Sequence, residues 1–220
     1  MKNMFTQSEE NYLKAIFHLQ EEAGEGVSTS ALAELLETKA ASVTEMIKRL
    51  ANKNLVDYKK YYGVQLTQTG RKQALTVVRK HRLWESFLVE RLNFNWDEVH
   101  EVAEQLEHIR SPKLVEELDR FLGRPAYDPH GDPIPDASGN LPKAPKKRLS
   151  QLKEGQKGVC KGFNDASSAF LKFLDDQDIG MHTEMKVMQI QSFDESMTVQ
   201  VGKRQVLLSK TATDNIYVED

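Results

Sequence analysis

VSTSALAELLETKAASVTEMIKRLANKNLVDYKKYYGVQLTQTG, residues 27 to 70, changes its apolar period partway along. The first part repeats apolar side chains at the helical spacing of about 3.6 residues. Ser28 is placed to cap a short helix with Leu32, Leu35 and Leu36 inside, a tight connection follows at Glu37 to Lys39, and a second helix buries Val43, Ile47 and Leu50. LVDYKKYYGVQLT then alternates as strands do and predicts a hairpin turning at Tyr62 and Gly63, with Lys59 and Lys60 along one arm. Two helices joined by a tight turn and followed by a β-ribbon make a winged helix-turn-helix. In that arrangement Ala41, Ser42, Thr44 and Glu45 at the start of the second helix face base edges of the DNA major groove. Lys39, Lys48 and Arg49, with Lys59 and Lys60 of the wing, neutralise phosphates. The alternative for the same pattern is a helical hairpin with a ribbon used for protein contacts.

Around this module, helical periodicity predicts helices at residues 6 to 22, 28 to 36, 40 to 53, 68 to 92 and 96 to 122. Six of the seven prolines then fall between Pro125 and Pro145, in RPAYDPHGDPIPDASGNLPKAPKKR, where regular helix and central strand are both disfavoured. After that linker come KGVCKGF, EMKVMQIQSF, MTVQVG and RQVLLSK, short β-rich runs punctuated by Gly, Asp and Ser, which predict a small β-barrel or sandwich of about 70 residues.

The sequence has 30 Lys and Arg against 33 Asp and Glu, a formal charge of -3, so DNA binding needs a local basic face rather than an overall positive charge. Cys160 is the single cysteine, which excludes an intrachain disulfide and a thiolate zinc cluster; any metal must be held mainly by nitrogen and oxygen. The opening MKNMFTQSEENYLKAIF has no signal-peptide apolar stretch, and no run reaches the roughly 20 apolar residues of a membrane span. A cytoplasmic protein without membrane partners is the expectation.

HEVAEQLEH, residues 100 to 108, carries the chemistry. At roughly 100° per residue, His100, Glu104, Glu107 and His108 share one arc of a helix, opposite Val99, Val102, Leu106 and Ile109. On the preceding helix, RKHRLWESF sets His81 and Glu85 four positions apart on one face. Antiparallel packing of the two helices offers one cluster of His81, Glu85 and His100 and another of Glu104, Glu107 and His108. A solvated polar face is the competing reading. The zinc-protease patterns H-E-x-x-H and H-x-x-E-H both fail at Glu104, and there is no Walker loop, dinucleotide-binding glycine turn or nucleophile elbow. His18, His130 and His182 are assigned no ligand role; His130 is expected as a turn residue packed on the body.

Taken together, EENYLKAIFHL, the winged module, RKHRLWESFL, VHEVAEQLEH, DPHGDPIP and the β-rich tail resemble the iron- and manganese-dependent transcriptional repressors typified by the diphtheria toxin repressor, over nearly the whole chain. The resemblance implies a winged helix-turn-helix DNA-binding domain at 1–73 and a helical metal-binding and dimerisation domain at 74–126. It further implies a proline-rich linker at 127–148 and an SH3-like (FeoA-like) β domain at 149–220. It implies an ancillary metal site at His81, Glu85 and His100, and a primary site at Glu104, Glu107 and His108 completed by Asn11 of the first helix. Lys14 stands where some binuclear manganese members have an acidic residue, and the C-terminal ligands of iron-type members are not evident around Asp165 to Phe170. The implied function is a homodimeric, non-enzymatic repressor of metal-homeostasis genes, binding palindromic double-stranded operator DNA with Mn2+ or Fe2+ as co-repressor. Zn2+, Ni2+ or Co2+ also suit such ligands in vitro. The alternatives are a winged-helix regulator answering a small organic ligand and a metal-dependent enzyme.

Overall fold

A computed structural model of the chain describes residues 5–24, 26–59, 63–96, 98–142, 147–164 and 167–219. Contacts divide it into two units, the first of residues 1–81, 106–111 and 135–140, the second of residues 82–105, 112–134 and 141–220.

In the first unit, helix α1 (Gln7–Ala23) starts from a capping box in which Thr6 and Glu9 satisfy each other's backbone N–H, and it stops at Gly24 in the left-handed conformation. Helices α2 (Thr29–Leu35) and α3 (Ala40–Asn52) follow, and Ser28 caps α2 by accepting from the Ala31 N–H. Leu32, Val43, Ile47 and Leu50 of these helices are buried, as are Leu13, Ile16 and Phe17 of α1, which contacts both. Strands β1 (Val56–Lys59) and β2 (Gly63–Leu66) pair antiparallel, and Val27 bridges to Val64 beside them. Gly63 is required there, because at φ +83° a Cβ would stand 2.5 Å from the Val27 carbonyl oxygen. Lys60 and Tyr62 of the expected wing lie outside the described residues. Helix α4 (Gln68–Leu92) begins in this unit, which also holds Glu107 to Ser111 and Pro135 to Asn140.

The second unit holds α4 from Arg82 on, α5 (Val99–Leu106) as far as Gln105, α6 (Pro112–Phe121) and an irregular segment to Ile134. Beyond it lie β3 (Lys147–Arg148), β4 (Lys157–Phe163), α7 (Ser168–Asp176), β5 (Glu184–Ile190), β6 (Met197–Val201), β7 (Arg204–Leu208), α8 (Lys210–Asp214) and β8 (Ile216–Glu219). The strands form one antiparallel sheet in the order β3-β8-β4-β5-β6-β7, bent by register shifts at Cys160/Gly162 and Val187/Gln189. Its core of Leu149, Cys160, Met185, Val187, Val199 and Val218 includes Trp96. The fold is thus a winged helix-turn-helix with following helices and a small SH3-like β domain.

Two expectations need correction. The single helix over residues 96 to 122 is two helices: α5 ends at Leu106, and α6 begins with Pro112 in its first turn. Proline disfavours helical geometry in the residue before it and suits the first helical position, so Ser111 and Pro112 mark a restart. Glu107 and His108 consequently stand in a turn beyond α5, not on its face. The β tail also carries two short helices, α7 and α8, each capped by a serine, Ser167 and Ser209. Among the described residues, no helix is long and apolar enough to cross a membrane.

Candidate metal and nucleic-acid sites

Burying Val43, Ile47 and Leu50 turns the rest of α3 outward. Lys39, Ala41, Ser42, Thr44, Glu45, Lys48 and Arg49 are all exposed, and so is Lys59 on β1. Two of these side chains already have intramolecular work. Thr44 Oγ1 donates to the Ala40 carbonyl at 2.9 Å, and Arg49 Nε lies 2.8 Å from Glu9 Oε1. Lys53 donates to the same oxygen at 2.6 Å. Glu9 is fully buried; burial pushes its carboxyl up, but Lys53, the Thr6 N–H and Arg49 outweigh that and hold it below its usual range. Through this carboxylate α1 is tied to the recognition helix.

At the next position of α1, Glu10 accepts from His108 Nδ1 at 2.6 Å. A carboxylate only accepts, so Nδ1 carries a proton, and in the neutral ring Nε2 presents its lone pair. That lone pair lies 3.7 Å from Glu107 Oε1, a buried oxygen with no hydrogen-bond partner among the described residues. The other oxygen of Glu107 is occupied: His81 Nδ1 lies 2.6 Å and Lys14 Nζ 2.8 Å from Oε2. Burial raises the Glu107 carboxyl, but His81 and Lys14 overcome that and leave it below the ordinary range. Lys80 Nζ stands 3.8 Å from Glu10 Oε1, its ammonium pulled down by burial against the pull of Glu10 and Glu107. An imidazole nitrogen beside a carboxylate oxygen without a hydrogen-bond partner is a donor pair that fits a hard or borderline divalent ion.

A second such place lies in the second unit. His130 Nε2 is 2.8 Å from the Trp96 carbonyl oxygen, which fixes the proton on Nε2 and turns the Nδ1 lone pair toward Glu85 Oε2 at 3.8 Å and Asp128 Oδ1 at 3.9 Å. All three residues are buried. Asp128 Oδ1 takes the His130 and Asp132 N–H groups; Oδ2 has no hydrogen-bond partner among the described residues and lies 3.7 Å from Arg82 Nε. Burial, with Glu85 and Asp132 nearby, raises the Asp128 carboxyl well above its usual range despite Arg82. Two carboxylates and an imidazole lone pair converging in a buried place repel one another unless a proton or a cation is held there. Glu85 Oε1 also meets His100 Nδ1 at 3.2 Å.

The anticipated ligands are therefore distributed differently from expectation. Glu107 and His108 stand together, but Asn11 is exposed, and its neighbour Glu10 is the α1 residue that reaches His108; one position on a helix turns a side chain by roughly 100°. Glu104 is half exposed beside His100, at 3.7 Å. Glu85 and His100 meet as anticipated, and His81, one turn earlier on α4, offers a ligand atom to the same group, all within 4.8 Å of one another, while its Nδ1 also lies 2.6 Å from Glu107. Glu10 and Asp128 were not singled out from the sequence, whereas His130, expected as a turn residue packed on the body, is buried in that turn. The signal available was the tight DPHGD turn, whose aspartate caps the loop that carries the histidine.

Comparison with known proteins gives the same division of labour. Residues 4–64 match the iron dependent repressor N-terminal DNA binding domain, residues 67–136 the iron dependent repressor metal binding and dimerisation domain, and residues 147–220 the FeoA domain. These three in order define a class of winged-helix regulators. Within it, the chain belongs to the iron- and manganese-dependent transcriptional repressor family typified by the diphtheria toxin repressor. It is similar to a manganese-dependent transcriptional repressor solved in complex with manganese, at 38% identity and TM-score 0.81 over 96% of this chain and 98% of that one. ScaR solved with bound Cd2+ is 30% identical, with TM-score 0.75 over 96% and 99% of the two chains. The iron-dependent repressor IdeR of Mycobacterium leprae is 35% identical over 133 residues, 60% of this chain and 57% of that protein. The match thus spans little more than half the length of that curated relative.

Proposed function

We propose that the chain is a divalent-metal-dependent repressor of transcription that acts on metal-homeostasis genes. It works as a homodimer, taking Mn2+ or Fe2+ and binding duplex operator DNA through α3 and the wing. The observation that carries this is the buried Glu107 Oε1, without a hydrogen-bond partner and 3.7 Å from the His108 lone pair, in a chain whose α3 is exposed. Glu107 and His108 hold the ion at one place, and Glu85, Asp128 and His130 at the other. A bound divalent ion would supply positive charge at the carboxylate oxygens, Glu107 Oε1 and Asp128 Oδ2, that have no hydrogen-bond partner among the described residues. Glu10 keeps His108 in the tautomer that offers Nε2, and the Trp96 carbonyl does the same for His130 in the opposite sense. Because Glu10 sits on α1 and Glu9 next to it grips Arg49 and Lys53 of the recognition helix, ordering of α1 is passed to the DNA-reading face.

Thiolate takes no part: Cys160 is buried in the sheet core, where burial pushes its thiol up to about 11. Imidazole and carboxylate alone favour Mn2+ or Fe2+ at cellular supply, with Zn2+, Ni2+ and Co2+ competing in vitro. For the homodimer the support is exposed apolar side chains on the helices after the wing, Leu92, Leu114 and Phe121, with the Phe121 ring meeting Phe87 edge-on. No enzymatic role is proposed.

A cleft of about 620 Å3 beside Phe94, Trp96, Tyr127, Lys161 and Met181 favours a second reading, an organic effector. One experiment separates the two. Mobility shifts on upstream DNA, run with chelator and then with each divalent ion restored, should show retention only with metal. Retention undiminished by chelation would remove the metal reading and leave the organic one.

A further inference from the structure

Lys14 is placed as a counter-ion, not as a surface lysine. Its side chain is 12% exposed and its ammonium lies 2.8 Å from Oε2 of Glu107, whose own side chain is 1% exposed. His81 Nδ1 fills the remaining hydrogen-bonding room on that oxygen at 2.6 Å. Glu107 is thus split: Oε2 is neutralised from within the chain, while Oε1 faces His108 Nε2 without a hydrogen-bond partner. A carboxylate that bridges two metal ions with one oxygen on each needs both oxygens free, and Glu107, with Oε2 held by an ammonium, has only Oε1 left for a metal. That ammonium also opposes any divalent ion arriving at Oε1, since a fixed positive charge in a buried, weakly screened place repels another.

We propose that Lys14 is a built-in counter-cation at Glu107 that competes electrostatically with the incoming divalent ion and so sets the concentration at which the Glu107/His108 pair loads. It restricts that pair to one ion. The same contact gives Glu107 a partner before metal arrives, which keeps a buried carboxylate from standing alone in the metal-free protein. The inference rests on the proposed metal role of Glu107 and His108, and the test keeps the two apart.

The experiment is a Mn2+ titration of the full chain by calorimetry, on the natural protein and on Lys14→Met, Lys14→Arg and His108→Ala, with thermal melting of each in chelator and in excess Mn2+. Lys14→Met keeps most of the stem and loses the charge. It should bind Mn2+ at this pair about tenfold more tightly, melt lower than the natural protein in chelator, and gain more on adding Mn2+. Lys14→Arg keeps the charge and should retain the natural affinity. His108→Ala should lose one ion per chain. If Lys14→Met binds Mn2+ with unchanged or weaker affinity while His108→Ala loses an ion, Lys14 is only a structural partner of Glu107 and the proposal is overturned. If His108→Ala loses no ion, the metal reading of the pair itself has failed.

Discussion

Two buried carboxylates, Glu107 and Asp128, are pushed in opposite directions, and the metal-free protein should reveal this through pH. At Glu107, His81 and Lys14 overcome burial and the carboxyl lies below its ordinary range, so its contribution to stability is present above that range and lost as pH falls through the lowered value. At Asp128, burial and the neighbouring Glu85 and Asp132 raise the carboxyl, so the contribution runs the other way: it is present in acid and lost as pH rises toward neutrality. Glu107→Gln should therefore cost roughly 1–3 kcal/mol at neutral pH, with the loss shrinking in acid. Asp128→Asn keeps an oxygen for the His130 and Asp132 N–H groups and removes a charge. It should melt about 2–4 °C higher at neutral pH in chelator, an advantage that disappears in acid and reverses when metal is added. Melting curves from pH 4 to 8 check both; parallel pH trends in the two variants would contradict the assignment. Neither behaviour was legible in sequence: DPHGD shows a turn, but not that its aspartate is buried against Glu85.

At the scale of elements, α4 shows what periodicity conveys and what it conceals. Its 25 residues were legible as one helix from position 68 to 92. RKHR at positions 79 to 82, by contrast, looks like a solvated patch and is buried throughout. Each side chain finds an acceptor supplied by distant sequence: Arg79 the Pro135 carbonyl, Lys80 Glu10, His81 Glu107, and Arg82 the Pro133 carbonyl. Proline-rich backbone cannot satisfy its own carbonyls in a helix or ladder, and buried arginines do it instead. Polar burial of this kind depends on partners 26 to 70 residues away, beyond the reach of a periodic pattern. The part of the linker around His130 is likewise held, and Gly131 touches the sheet. At φ +88° a Cβ on Gly131 would stand 2.1 Å from Gly162 Cα and 2.5 Å from the Lys161 carbonyl oxygen. Gly131→Ala must move the loop that presents His130 and aims its lone pair. That variant should lose the metal held with Glu85 and Asp128, keep the ion at Glu107 and His108, and be destabilised by about 1–3 kcal/mol. Metal counting by mass spectrometry under native conditions distinguishes this from loss of both ions, which would mean that the loop supports the whole fold.

At the scale of the whole molecule, a net charge of -3 works against DNA, so affinity must come from a local face and from whatever increases the share of molecules in which that face is competent. The residues available are Lys39, Lys48 and Lys59, exposed around α3 and β1, with Arg49 held by Glu9 from behind. Metal held at Glu107 and His108 makes no contact with DNA in this scheme, and its effect is limited to the difference in its affinity between competent and incompetent arrangements. Reciprocity is then unavoidable. If saturating Mn2+ tightens operator binding by some factor, saturating operator must tighten Mn2+ binding by the same factor. For a coupling of about 1–3 kcal/mol that factor lies between roughly 5 and 150, within reach of paired titrations. The route also makes a specific demand on Glu9, the buried carboxylate between the metal helix and the recognition helix. Glu9→Gln leaves Glu10, Glu107 and His108 in place, so Mn2+ should bind without DNA nearly as before, while both cross-factors fall together toward unity. A variant that weakened metal binding alone, or kept the full coupling, would show that the signal leaves α1 by another path.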